Sequence, residues 1–218
     1  MEEFLENIIE SPILPKYLEE LGGYYNLEQS KRQLFYDIIT EDAKAEFING
    51  EIFMHSPVRM KHLNSSDLLS RLISIYISKY KLGRIGIEKQ LISFSRNDYE
   101  PDICFFKREK SDKFTKNQMK FPAPDFIVEI LSESTEKNDR GIKFQDYALH
   151  GVCEYWIIDP ETQIVEQYIL ENEEYILNQK SNNGIIKSIA IDGLELPIEA
   201  IFDENENLKF IEEILIRS

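Results

Sequence analysis

Cations are scarce in this chain. Its 218 residues carry 25 Lys and Arg against 40 Asp and Glu, a formal net charge of −15. That balance excludes strong nucleic-acid binding spread over the whole surface, which needs many Lys and Arg contacts to phosphates. Cysteine is scarcer still. Cys104 and Cys153 both sit inside apolar runs, and the expectation is two buried free thiols in a reducing compartment. There are three histidines, and His55 and His62 lie seven apart, outside zinc-motif spacing. No apolar run approaches the ~18 residues that span a membrane. The start, MEEFLENIIE, lacks the basic region and apolar stretch of a signal peptide. The expectation is a soluble, cytoplasmic protein with no membrane partner.

The charge that is present is unevenly spread. Residues 1–50 hold 4 basic and 11 acidic side chains, and residues 159–218 hold 4 and 14. Between them, residues 51–158 hold 17 basic and 15 acidic side chains. Two acidic flanks thus bracket a slightly positive middle. The length suits one domain with appendages, and the 42% hydrophobic content suits a packed core.

Residues 1–38 read as short helices punctuated by Pro15 and Gly22-Gly23. Ala45 to Phe53 reads as a hairpin turning at Asn49-Gly50, a pair that tolerates positive φ. Leu68, Leu69, Leu72, Ile73, Tyr76 and Tyr80 recur at helical spacing and predict a helix over about 61–82, stopped by Gly83. Strands are predicted over 84–94, 99–106 and 125–131. Residues 107–122 read as loop. A helix over 138–150, closed by Gly151, leads to a strand over 153–158. A hairpin over 163–178, one more strand and a last helix complete the chain. This order predicts an α/β fold, a central mixed sheet flanked by helices.

Three residues of the middle segment could carry chemistry. Glu129 lies in the apolar run Phe126-Ile127-Val128-Glu129-Ile130-Leu131 and must be paired, protonated or metal-bound. An internal salt bridge to Lys143 or Arg140 would satisfy it without any reaction. Asp102 heads an apolar strand after Glu100-Pro101. Glu100 is two residues away and shares its face, and a simple turn acid is the other reading of Asp102. Asp139, Lys143 and Tyr147 form a stripe at four-residue steps, which is either a solvated face with an ion pair or part of a site. Two carboxylates on neighbouring strands can hold a hard divalent cation, Mg²⁺ or Mn²⁺. A nearby lysine can orient a water and balance charge at a phosphoryl group. Together these are the parts of a phosphodiester hydrolase. Lys107, Arg108, Lys110 and Lys113 lie in a locally positive segment where a nucleic-acid backbone could run.

The sequence resembles the PD-(D/E)xK nuclease superfamily, and within it the Uma-type putative restriction endonuclease family. The resemblance rests on Asn49-Gly50-Glu51-Ile52, His62, Pro101-Asp102-Ile103 and Val128-Glu129-Ile130-Leu131-Ser132. It continues through the Asp139, Lys143, Tyr147 stripe and Gly151-Val152-Cys153-Glu154-Tyr155-Trp156-Ile157-Ile158-Asp159-Pro160. It implies a restriction-endonuclease-like core over 41–170, N-terminal helices over 1–40 and a β-rich extension with a helix over 171–218, packed as one domain overall. It implies Asp102 and Glu129 as metal ligands, and Glu51 and His62 beside them. The superfamily's lysine stands two residues after the second acid, where this chain has Leu131, so the resemblance points to Lys143 as its replacement. A DNA-cutting homodimer is the implied function. A catalytically inactive member of the fold, binding nucleic acid or protein, is the alternative.

Overall fold

The computed structural model describes residues 2–39 and 44–216. It divides into two compact units, residues 1–55 and 56–218.

In the first unit, α1 (Glu2–Ile9) is followed by α2 (Leu14–Ile38). Pro15 sits in the first turn of α2, where its missing N–H costs nothing. Gly22-Gly23 does not break this helix, contrary to expectation. The residues around the pair propagate the helix, and a glycine costs only about 1 kcal/mol against alanine. The predicted hairpin is present as β1 (Ala45–Ile48) and β2 (Glu51–Met54), with Ile48 opposite Glu51. Asn49 and Gly50 both take positive φ at its turn. Phe35 of α2 packs on Phe47 of β1, their ring centroids 5.8 Å apart.

The second unit opens with α3 (Met60–Tyr80). Its left-handed cap is Lys81 and not Gly83, which instead opens β3 (Gly83–Ile87). The two long strands expected next are each divided. Arg84–Phe94 becomes β3 and β4 (Leu91–Ser93), split at Glu88 with positive φ. Residues 98–107 become β5 (Asp98–Tyr99) and β6 (Ile103–Lys107), split at Glu100-Pro101-Asp102, because Pro101 has no N–H for the ladder. The presumed loop contains α4 (Arg108–Ser111) and β7 (Lys120–Phe121). Then follow β8 (Phe126–Ile130), α5 (Glu136–Asp139), α6 (Ile142–Leu149) and β9 (Glu154–Asp159). The hairpin β10 (Ile164–Glu171) and β11 (Glu174–Ser181) precedes β12 (Ile185–Lys187), β13 (Glu195–Pro197), a 3₁₀ turn and α7 (Glu204–Ile216).

Six strands form the main sheet in the order β11-β10-β9-β8-β6-β3. Only β8 and β9 run parallel, and α5 and α6 make the crossover between them. One face carries Ile103, Phe105, Phe126, Val128, Ile130, Trp156 and Ile158 into the main core with α3 and α7. The other face is covered by α6, where Tyr147 and Tyr155 meet edge to face at 5.2 Å. A mixed sheet between helices is therefore the observed fold. Cys104 is buried, as expected, but Cys153 is exposed. Burial pushes the Cys104 thiol well above its usual range, so it stays protonated. Among the described residues no helix is long and apolar enough to cross a membrane.

At the start of β9, Glu154 is completely buried. Its Oε1 accepts from Trp156 Nε1 at 2.7 Å and Gln167 Nε2 at 2.6 Å. Its Oε2 accepts from Ser188 Oγ at 2.6 Å and from the backbone N–H groups of Ile189 and Ala190 at 2.8 Å each. Five neutral donors replace the water that this carboxylate lost.

Candidate active site

The β6–β8 register sets Ile103 opposite Val128. Asp102 stands one residue before Ile103 and Glu129 one residue after Val128, at the end of that ladder. Asp102 Oδ2 accepts the backbone N–H of Ile130 at 2.9 Å. His62, in the first turn of α3, places Nε2 3.2 Å from the same oxygen. Glu129 Oε1 accepts from Tyr147 at 2.7 Å and from Lys143 Nζ at 3.1 Å. Lys143 also lies 3.1 Å from Asp139 Oδ1. All six side chains are buried, Lys143 to 1% and Glu129 to 3% exposure. An ammonium and carboxylates taken so far out of water are tolerable only together.

The helix that delivers Lys143 is not continuous. Residues 138–150 were expected as one helix, and the chain instead turns at Arg140-Gly141 between α5 and α6. Gly141 has φ −113° and ψ −101°, and a Cβ there would stand 2.6 Å from the Lys137 carbonyl oxygen. Any side chain at 141 would push the two helices apart. Arg140 fixes the joint from outside. It donates to Glu166 on β10 through Nη1 at 2.8 Å and Nη2 at 3.2 Å, while Lys180 and Tyr168 reach the same carboxylate at 2.9 and 2.6 Å. Burial alone would raise the Glu166 carboxyl. The donors, Arg140 first, outweigh it and hold the group down at about 2. Its contribution to stability is then complete above its usual 4.5 and is lost as the pH falls towards 2. In acid titrations followed by circular dichroism, the stability gap between the wild type and Glu166→Gln should close across that window.

Glu100 is buried in the same interruption between β5 and β6 that holds Asp102, where strand alternation does not assign its side. Glu51 lies exposed on β2 in the first unit, paired with Lys31 at 2.9 Å. The basic segment begins at the opposite end of β6. Lys107 is five residues from Asp102, roughly 17 Å at about 3.3 Å per residue. There Arg108 pairs with Asp112 at 3.3 Å and Lys110 with Asp125 at 3.0 Å. Lys113 follows α4 on the exposed surface.

One cluster escaped the sequence reading. Asp146 on α6 accepts from Asn97 Nδ2 at 2.7 Å and Tyr99 OH at 2.8 Å, and lies 3.0 Å from His150 Nδ1. His150 Nε2 is 3.0 Å from Ser95 Oγ, and its ring stacks on Phe94 at 4.2 Å. The order Ser, His, Asp invites a catalytic reading, but Nε2 also accepts the backbone N–H of Ser95 itself. The cluster fastens the β4–β5 turn to α6. Tyr99, held this way, puts its ring 5.9 Å from Lys143 Nζ. The i, i+4 spacing of Asp146 and His150 was the available signal.

A cleft of about 610 Å³ opens where β8 and β9 end. His62 and Leu131 line it, with Arg59 and Lys61 beside the start of α3. Ser132–Ser134, Glu136 and Asp159–Glu161 also line the wall. His62 thus connects this cleft to Asp102.

The chain is 33% identical over 128 residues to "Uncharacterized protein sll1609" of Synechocystis sp., covering 57% of this chain and 71% of that one. It is 26% identical over 168 residues to "Uncharacterized protein slr1290" of the same organism, covering 73% and 83%. Its structure resembles the crystal structure of a putative nuclease belonging to DUF820 from Anabaena variabilis, with a TM-score of 0.67 at 21% identity, covering 77% of this chain and 94% of that one. That likeness places the fold with a restriction-endonuclease-like protein. The family Uma2, putative restriction endonuclease, matches residues 29–199, and the chain belongs to it.

Proposed function

We propose that the protein is a metal-dependent endonuclease that hydrolyses phosphodiester bonds in DNA, with Asp102 and Glu129 as ligands of Mg²⁺ or Mn²⁺. Membership of the Uma2 family supports the nuclease class. The observation that carries the reading is the 3.1 Å contact between Lys143 Nζ and Glu129 Oε1. A lysine missing from its usual place two residues after the second acid reaches that acid from the following helix.

The donor set suits the ion. Among the described residues, no three His, Cys, Asp or Glu side chains gather into a metal-holding group. Mg²⁺ keeps several of its waters and needs only one or two protein carboxylates, whereas a zinc site would need more protein ligands. When bound, such an ion supplies an acidified water and neutralises charge on the phosphoryl oxygens. The chain's own residues do the rest. The Ile130 N–H and His62 fix Asp102, and Tyr147 fixes Glu129. Lys143, steadied by Asp139, can donate a hydrogen bond to the attacking water and to a non-bridging oxygen. Many enzymes of this fold cut the two strands of a duplex as dimers, and by that analogy we assign a homodimer.

One observation favours a second reading. Lys143 is 1% exposed and held by two carboxylates, as in a structural ion network of a catalytically inactive, nucleic-acid- or protein-binding member of the family. Nicking of supercoiled plasmid with Mn²⁺ decides between them. The endonuclease reading expects relaxed circles that depend on the metal. If the protein binds Mn²⁺, loses it on Glu129→Ala and yet cuts no DNA form, the binding module is the correct reading.

A further inference from the structure

We propose that Glu133 and Glu161 gate the cleft. They hold Arg59 and Lys61, the two cations that would otherwise take the phosphates of a nucleic-acid strand on its way to Asp102. The direction of that strand rests on the nuclease reading, but the contacts do not.

Arg59 Nη2 lies 2.9 Å from Glu133 Oε1, and its Nη1 lies 3.8 Å from Glu161 Oε1. Lys61 contacts the same Glu161 oxygen. One guanidinium therefore joins acids from two different loops, the one after β8 and the one after β9. The cleft wall holds two further acids, and both have other work. Glu136 pairs with Arg140 at 3.0 Å. Asp159 accepts from the backbone N–H of Glu161 at 2.8 Å and from Thr162 Oγ1 at 2.6 Å. The side chains of Glu133 and Glu161 are engaged by these two cations alone in the described contacts.

The pairs are built to be exchanged. Their side-chain exposures are 67% for Arg59, 83% for Glu133 and 55% for Glu161. Ion pairs so open to water are worth little and re-form easily. A phosphate offers Arg59 the bidentate partner that its geometry prefers. The hydroxyls of Ser132 and Ser134, 3.1 Å apart on the same wall, can turn to donate to it. A strand would thus enter by replacing two carboxylates with two phosphates. The lysine-bearing segment at the far end of β6 is too distant to do this beside Asp102.

The test is fluorescence anisotropy with a labelled DNA duplex in EDTA at several salt concentrations, using the full chain. Glu133→Gln/Glu161→Gln should tighten binding about 5- to 10-fold. Glu195→Gln, an exposed acid paired with Lys187 outside the cleft, makes half that charge change and should shift binding less than 2-fold. Arg59→Gln/Lys61→Gln should weaken binding at least 10-fold and reduce the salt slope by about 2. In that background, removing the two acids should no longer matter. The gate is overturned if the acid pair gains no more than Glu195→Gln, if the gain survives loss of the cations, or if no form of the protein binds DNA at the lowest salt. Absence of nicking with the binding shifts intact would overturn the nuclease reading and leave the gate standing.

Discussion

Replacing Glu129 by Gln should lower Mn²⁺-dependent nicking by roughly 100-fold or more, equivalent to about 2.7 kcal/mol of transition-state stabilisation. The change is nearly isosteric. Tyr147 and Lys143 can still donate to the amide oxygen that replaces Oε1. What disappears is the negative charge that a divalent ion needs. Near-ultraviolet circular dichroism should be unchanged, because the buried contacts on the α6 face survive. Initial rates of relaxed-circle formation make the measurement. Rates within threefold of the wild type would remove Glu129 from the reaction and end its role as a ligand.

Lys143→Met should cost about 3–5 kcal/mol of folding stability, the usual consequence of taking one partner from a buried ion pair. The loss leaves Glu129 and Asp139, 3% and 1% exposed, without the ammonium that both now face. The least costly relief is uptake of a proton by the pair. A carboxylate that binds protons more readily folded than unfolded adds stability as the pH falls. The deficit of the variant should therefore shrink as the pH is lowered in urea titrations. A divalent ion offers the other relief. If Glu129 is a ligand, Mn²⁺ should raise the melting temperature of Lys143→Met by more than that of the wild type. Equal shifts would speak for a closed structural network.

Much of this arrangement was legible because it follows from local pattern. Asn49-Gly50 between short apolar runs is a strong local hairpin signal, because both residues tolerate the positive φ of the turn. The apolar spacing of α3 leaves few alternatives to a helix. A carboxylate at position 129, in the middle of an unbroken apolar run, has to answer for its charge. Other features depend on partners distant in sequence. Whether Lys143 reaches Glu129 depends on the break at Gly141, and that break is held by Arg140 on Glu166, 26 residues further on. Nothing near position 141 announces this, since a glycine in a helical pattern is often tolerated, as Gly22 and Gly23 are in α2. The division between β5 and β6 is a subtler case. Pro101 signalled it, but the apolar run from Ile103 onward masked the interruption. Cys153 was misjudged because an apolar neighbourhood in sequence says nothing about which side of a strand end faces water.

The net charge invites attempts to strip the acidic C-terminal region, in the hope of strengthening contact with DNA. The five donors on Glu154 make deletion the wrong tool. Three of them come from Ser188, Ile189 and Ala190. A chain ended before residue 188 would keep Glu154 at the sheet without the groups that replace its water, at a cost of several kcal/mol. Such a fragment would be destabilised for reasons unrelated to phosphodiester chemistry, and its failure in a nicking assay would be misread as a catalytic result. Charge in this region is better altered one exposed acid at a time, with Ser188–Ala190 left in place.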